Sequence, residues 1–136
     1  MKKKICIVVA NYYPHISKDL VKGSLAILKK YRISNVKVIN APGAFEIPVI
    51  ISRNINKYDA FIALGCIIKG ETPHFNFISA AITQGIMSLS INFKKPIGNG
   101  ILTCFNKKQA LTRSNPSKNN KGGEAAVATL SVLEML

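Results

Sequence analysis

An α/β fold is the class this sequence predicts: a three-layer α/β/α sandwich of flavodoxin-like type around a four-stranded parallel sheet. Three observations predict it. Apolar, β-branched runs of strand length alternate with runs of helical period along the whole chain. The first and third strand runs are continuously apolar, as strands covered on both faces must be. No repeat or linker divides the chain, so residues 1–136 read as one domain. Right-handed crossovers then place helices on both faces of the sheet.

Lys4–Ala10 reads as the first strand, and Asn11, Tyr12 and Tyr13 as the loop after it. Pro14 keeps the chain extended before a helix for which Ser17 is the expected N-cap and Asp19 suits the first turn. Val21, Leu25 and Leu28 follow at helical spacing and are expected to face the sheet, and Lys29 and Lys30 favour the helix end. Val36–Asn40 is the second strand. Ala41, Pro42 and Gly43 turn out of it, and a helix starts at Ala44, Phe45 and Glu46 and runs to about Ile55. Pro48 is tolerated there because N–H groups of a first turn have no partner within the helix.

Ala60–Leu64 is the third strand, followed by Gly65 and a loop holding Lys69, Gly70, Glu71 and Thr72. Pro73 and His74 open the longest helix, to about Ser90, with Ile78, Ile82, Gly85/Ile86 and Leu89 on one face. Residues Pro96–Gly100 lead into a fourth strand, Ile101–Cys104. A short helix covers Lys107–Arg113, Ser114–Gly123 is a polar loop, and Ala125–Leu136 closes the chain as an Ala-rich helix.

Composition narrows the function classes. Nineteen Lys+Arg against six Asp+Glu give a formal charge of +13, which suits a phosphorylated substrate. Along the sequence these cations are spread, no basic stripe interleaves with aromatics and no nucleic-acid motif is present, so a specific nucleic-acid partner is not expected. No apolar run is long enough to span a bilayer, and the run after MKKK lacks the length and cleavage pattern of a signal peptide. A cytoplasmic protein is expected. Cys6, Cys66 and Cys104 lack metal-ligand spacing and read as free structural thiols.

Parallel sheets bind ligands beyond the carboxyl ends of their strands. That rule gathers Tyr12, Gly43–Glu46 and Ile67–His74 at one edge. An aromatic face with a carboxylate suits a flat polar heterocycle. A Gly-containing loop at a helix start suits a phosphate. A histidine suits proton transfer between them. Each residue also has a plainer reading: His74 as a solvated helix-start residue, Glu46 and Glu124 as helix-start carboxylates, Arg113 as a cation on a helix C-terminus. His15 reads as a surface loop residue. Asn99, placed before the fourth strand, and Arg113 are not expected to reach their own chain's site; a neighbouring copy's site is the alternative.

Five segments in order, APGAFEIP (Ala41–Pro48), ALGCIIKGETPHF (Ala63–Phe75), NGILT (Asn99–Thr103), QALTR (Gln109–Arg113) and NKGGEAA (Asn120–Ala126), resemble the 6,7-dimethyl-8-ribityllumazine synthases. The resemblance covers essentially the whole chain. It implies the penultimate step of riboflavin biosynthesis: a transferase condensing 5-amino-6-(D-ribitylamino)uracil with 3,4-dihydroxy-2-butanone 4-phosphate, without metal or organic cofactor. On it, Tyr12 stacks on the pyrimidine; Ala44, Phe45 and Glu46 hold the ribityl chain; Cys66, Ile67 and Ile68 line the ring edge through their backbone. Gly70, Glu71 and Thr72 cradle phosphate, and His74 is the acid/base, with Glu124 associated with it. Asn99, Arg113 and Lys121 come from the adjacent subunit, Arg113 to phosphate and Asn99 to the ring. Homo-oligomers are implied, either pentamers or shells of twelve pentamers. Four positions depart from the family pattern: Lys69 for the usual Arg, Asn99 for a frequent aromatic, Tyr12 for the commoner Phe, and Asn11 where some members have Arg. The alternative function is a non-catalytic flavin- or lumazine-binding shell protein on the same scaffold.

Overall fold

β1 (Ile5–Ala10) and β3 (Ala60–Ile68) form the centre of a parallel sheet flanked by β2 (Val36–Ala41) and β4 (Ile97–Cys104), in the order β2-β1-β3-β4, in a computed structural model that describes residues 2–134. Side chains alternate across the sheet with the strand period of two. Ile5, Ile7, Val9, Ile62 and Leu64 enter a core shared with α1 (Pro14–Lys30) and α5 (Lys121–Glu134). Cys6, Val8, Ala10, Phe61 and Ala63 enter a second core under α2 (Ile47–Asn54) and α3 (His74–Phe93). The short α4 (Lys107–Arg113) joins the first core through Ala110. The three-layer α/β/α architecture expected from the sequence is the one observed.

Several boundaries differ from expectation, each for a tertiary reason. β3 runs on through Gly65 to Ile68 because β4 continues to pair with it, Gly65 with Ile101 and Ile68 with Cys104, after its ladder with β1 has ended at Leu64. β4 starts at Ile97, so Asn99 lies inside the strand opposite Ala63 rather than before it. Gly98 and Gly100, expected to precede the strand, lie inside it. A Cβ at Gly98 would overlap the Thr129 hydroxyl and the Ala125 carbonyl of α5, and one at Gly100 would meet Leu64.

α1 starts at Pro14, so His15 is helical and lies 3.6 Å from Asp19 instead of in a loop. Ser17 is inside the helix and not its cap. Its Oγ donates to the Ala10 carbonyl at 2.7 Å, which ties the end of β1 to the first turns of α1. The buried face is Ile16, Leu20, Gly23, Ser24 and Leu28, while Leu25 is exposed, because α1 packs against α5 as well as the sheet. α5 begins at Lys121, four residues earlier than expected, and its expected end at Leu136 lies outside the described residues.

α3 has the face the sequence predicts, with Ile82 and Ile86 buried and Ile78 and Leu89 packed beside them. Four further large apolar residues of this 20-residue helix are uncovered: Phe77 is 71% exposed and Ile91 65%, with Met87 and Phe93 also at the surface. Among the described residues no helix is long and apolar enough to cross a membrane.

Candidate active site

The chain leaves β1 to form β2 on one side and then β3 on the other, so the loops after β1 and β3 diverge and open a crevice at their carboxyl ends. Tyr12 stands at that edge, 72% exposed and edge-on to Tyr13 with ring centroids 5.0 Å apart. The Ser17–Ala10 hydrogen bond fixes the strand end from which this loop departs. After β2, Ala44–Glu46 form one 3₁₀ turn ahead of α2, with the Glu46 N–H donating to the Gly43 carbonyl at 3.3 Å. Phe45 and Glu46 line a cavity of about 400 Å³ whose other walls are Pro48, Val49, Ala81 and Ile82. This cavity is mostly apolar with one carboxylate, which is the character of a site for a flat ring with polar substituents.

Cys66 is buried near the end of β3, and Ile67 and Ile68 are half-buried at its carboxyl end. The Lys69 N–H donates to the Cys104 carbonyl at 2.8 Å, and the Lys69 ammonium lies 5.3 Å from the Phe105 ring centroid. Together these clip the start of the loop to the end of β4. Beyond that point Gly70, Glu71, Thr72 and His74 are all exposed. His74 is the first residue of α3, and its N–H faces the Thr72 hydroxyl at 3.4 Å. The positive end of a 20-residue helix therefore closes the loop, an arrangement that favours an anion. A Cβ added at Gly70 would meet nothing within 4 Å, and no glycine here has positive φ. The fold itself does not require that glycine; bare backbone there keeps the amides open to a ligand.

Burial pushes the Cys66 thiol up to about 12, with Cys104 beside it adding to the shift. Burial likewise raises Cys6 to about 11. Both are neutral thiols at pH 7, so Cys66 offers its backbone and not a nucleophile. Their folded pKa values lie above the unfolded value of 9.0. The unfolded chain therefore releases these protons first, and stability present below pH 9 is lost as pH rises toward 11–12. Urea midpoints measured across that window should fall, and should fall less in a Cys6→Ala/Cys66→Ala variant.

The remaining expected site residues form a second group. Asn99, Arg113 and Lys121 line one cleft of about 250 Å³ along the outer side of β4, the open edge of the sheet. Arg113 closes α4, and its Nη1 donates to the Gln109 carbonyl at 3.3 Å. The Asn99 Oδ1 accepts from the Ile101 N–H at 3.0 Å. Lys121 pairs with Glu124 at 3.2 Å one turn along the same helix. Of the expected residues the 400 Å³ cavity holds only Phe45 and Glu46; Tyr12 and the 70–74 loop share the carboxyl edge of the sheet with it but lie outside its lining, while Asn99, Arg113 and Lys121 share the cleft on β4. Among the described residues no cluster of three or more His, Cys, Asp or Glu is placed to hold a metal.

One residue that holds the second group in place is Asn120, which the sequence shows only as part of a motif. Its buried carboxamide donates to the Asp19 carbonyl at 2.9 Å and the Ser114 carbonyl at 2.7 Å, and accepts from the Gly123 N–H at 3.0 Å. It therefore caps α5, anchors the residue after Arg113 and reaches α1. Space for it exists because position 23 is glycine; a Cβ there would overlap the carboxamide. An Asn followed by Lys-Gly-Gly at a helix start is the signal that could have found it. Asn120→Ala should cost about 3 kcal/mol, since buried carbonyls and an N–H lose their partners, and a urea unfolding curve reads this directly.

A family model described as 6,7-dimethyl-8-ribityllumazine synthase matches residues 2–136. A protein of that name from Novosphingobium aromaticivorans is 42% identical over 134 residues, covering 97% of this chain and 95% of its own length. One from Buchnera aphidicola is 41% identical over 140 residues, covering 99% and 88%. One from Zymomonas mobilis is 40% identical over 134 residues, covering 97% and 95%. With residues 2–136 matched by the family model and relatives of that name about 40% identical over nearly the whole chain, the chain belongs to the 6,7-dimethyl-8-ribityllumazine synthase family.

Proposed function

We propose that this enzyme condenses 5-amino-6-(D-ribitylamino)uracil with 3,4-dihydroxy-2-butanone 4-phosphate, releasing phosphate and water, in the cytoplasm and within a homo-oligomer whose sites are shared between neighbours. The observation that carries this reading is the pairing of an aromatic-and-carboxylate cavity with an open anion loop at the same end of a family-matched sheet.

The reaction divides naturally among these groups. Tyr12 stacks on the pyrimidine, the 44–46 turn holds the ribityl chain with Glu46 accepting from its hydroxyls, and the backbone of Cys66–Ile68 pairs with the ring edge. The ring 5-amine attacks the ketone and water leaves as the imine forms. Elimination of phosphate gives an enol, which tautomerises. The ribitylamino nitrogen then attacks the remaining carbonyl and closes the second ring with loss of a second water. Phosphate departs as a dianion, so the amides of Gly70–Thr72, the start of α3 and a guanidinium from Arg113 stabilise the charge that develops. Glu71 contributes its backbone N–H here, since its carboxylate would repel the phosphate. Each tautomeric step moves a proton, which is the work of His74. Holding two reactants together supplies much of the remaining acceleration.

Two observations support sharing between neighbours. Asn99, Arg113 and Lys121 line a cleft on the open edge of β4, apart from the 400 Å³ cavity beside Phe45 and Glu46. The exposed apolar face of α3, with Phe77, Met87, Ile91 and Phe93, is of the kind that a second copy covers. A pentamer, alone or as a unit of a larger shell, satisfies both. Three free buried thiols suit a reducing compartment.

The test is to mix purified protein with both substrates and follow lumazine absorbance and fluorescence. Turnover above the uncatalysed background is expected. A correctly folded oligomer that bound riboflavin without accelerating the condensation would replace this reading with that of a non-catalytic shell protein. A monomer in light scattering would remove the shared site.

A further inference from the structure

The parallel topology collects at one end of the molecule what the sequence spreads along the chain. All four strands start at the amino edge of the sheet, and α1, α2, α3 and α5 end there. That edge carries the three lysines before β1, Lys29–Arg32 at the end of α1, Lys57 before β3 and Lys94 before β4. Of the six acidic residues only Asp59 and Glu134 lie on this side, and the Asp59 carboxylate accepts the Lys4 backbone N–H at 2.7 Å. No cation of this edge forms an ion pair among the described residues.

A cleft of about 280 Å³ on the β1–β2 side of this edge is lined by Lys2, Lys3, Tyr31, Arg32, Ser34 and Asn35. Tyr31 is 50% exposed, and the Lys30 ammonium sits 5.7 Å from its ring centroid. The backbone adds an independent observation. Among the described residues the only non-glycine positions with positive φ are Arg32 at 61° and Lys94 at 53°. Both end helices, where glycine is the usual and cheaper occupant. Both are cations, and both lie on this edge. At Arg32 attraction to the helix dipole does not require the strained position, since α1 already has Lys29 and Lys30 in its last turn; α3 has no basic residue in its last turn, so there Lys94 also complements the dipole. Backbone strain retained for a charge points to a use for that charge.

We propose that the amino edge of the sheet is a second binding surface, for single-stranded nucleic acid held without sequence preference. The cations track the phosphates, and Tyr31 gives one base a stacking face, a combination that separates this partner from a plain polyanion. The surface is at the opposite end of the sheet from the carboxyl-edge loops, so its use and the condensation are independent.

The test titrates a fluorescein-labelled oligouridylate with the assembled protein at several KCl concentrations, reading anisotropy. Binding should weaken steeply with salt, by about 0.7 in log K per log unit of salt for each phosphate neutralised. In Arg32→Gly/Lys94→Gly, affinity should fall roughly tenfold and the salt slope should become shallower. The same variant should melt a few degrees higher, because glycine relieves both left-handed positions, and should form lumazine at the unaltered rate. A gain in stability with unchanged binding would overturn the proposal, as would absence of binding by the wild type. Displacement by inorganic polyphosphate as effective as by oligouridylate, with Tyr31→Ala binding normally, would overturn the assignment to nucleic acid.

Discussion

Arg113→Ala should lower kcat/KM by about 10²–10³-fold, the usual effect of removing a group that binds developing charge. Arg113 is solvent-exposed at the end of α4, with one weak hydrogen bond to its own helix, so its removal should leave unfolding midpoints nearly unchanged. Arg113→Lys should recover only part of the loss, since an ammonium keeps the charge but not the two-pronged fork that fits a phosphate. The decisive version is complementation. Chains carrying Arg113→Ala and chains carrying His74→Ala are assembled into mixed oligomers. Where the site is shared, some interfaces unite an intact His74 with a neighbour's intact Arg113, and activity returns. If both residues serve the site of their own chain, every site in the mixture is defective and no activity returns.

His74→Ala should slow turnover by about 10²–10⁴-fold while leaving substrate KM values much less affected. The imidazole lies on the first turn of α3 and is exposed, so the loss should be chemical rather than structural. Activity should not vanish, because the loop amides and the orientation of two bound reactants persist without it. An unchanged rate would remove His74 from the proton transfers.

The alternation of apolar strand runs with helical runs was enough to predict the layered parallel sheet, because period-two and helical burial are written directly in residue type. The carboxyl-edge residues from Tyr12 to His74 were legible for the same reason: parallel strands send every following loop to one end. Local reading failed where a distant element set the structure. Gly98 and Gly100 read as a lead-in to the fourth strand but are strand glycines that admit α5, and β3 runs past its expected end because β4 extends its ladder. Ser17, an N-cap by local rules, is a helix residue tied to the end of β1. The buried grip of Asn120 on α1, Ser114 and α5 joins residues up to 101 positions apart, a distance at which no periodicity operates.

The sequence by itself therefore determined the fold class, the family and the identity of the chemical groups. Tertiary structure alone decided their grouping. It set Asn99, Arg113 and Lys121 together on the open edge of β4, apart from the Phe45–Glu46 cavity, and it gathered scattered cations onto the opposite edge of the sheet. Residue type fixes what a side chain can do, whereas proximity depends on strand order and helix packing, which are set by contacts between residues far apart in the chain.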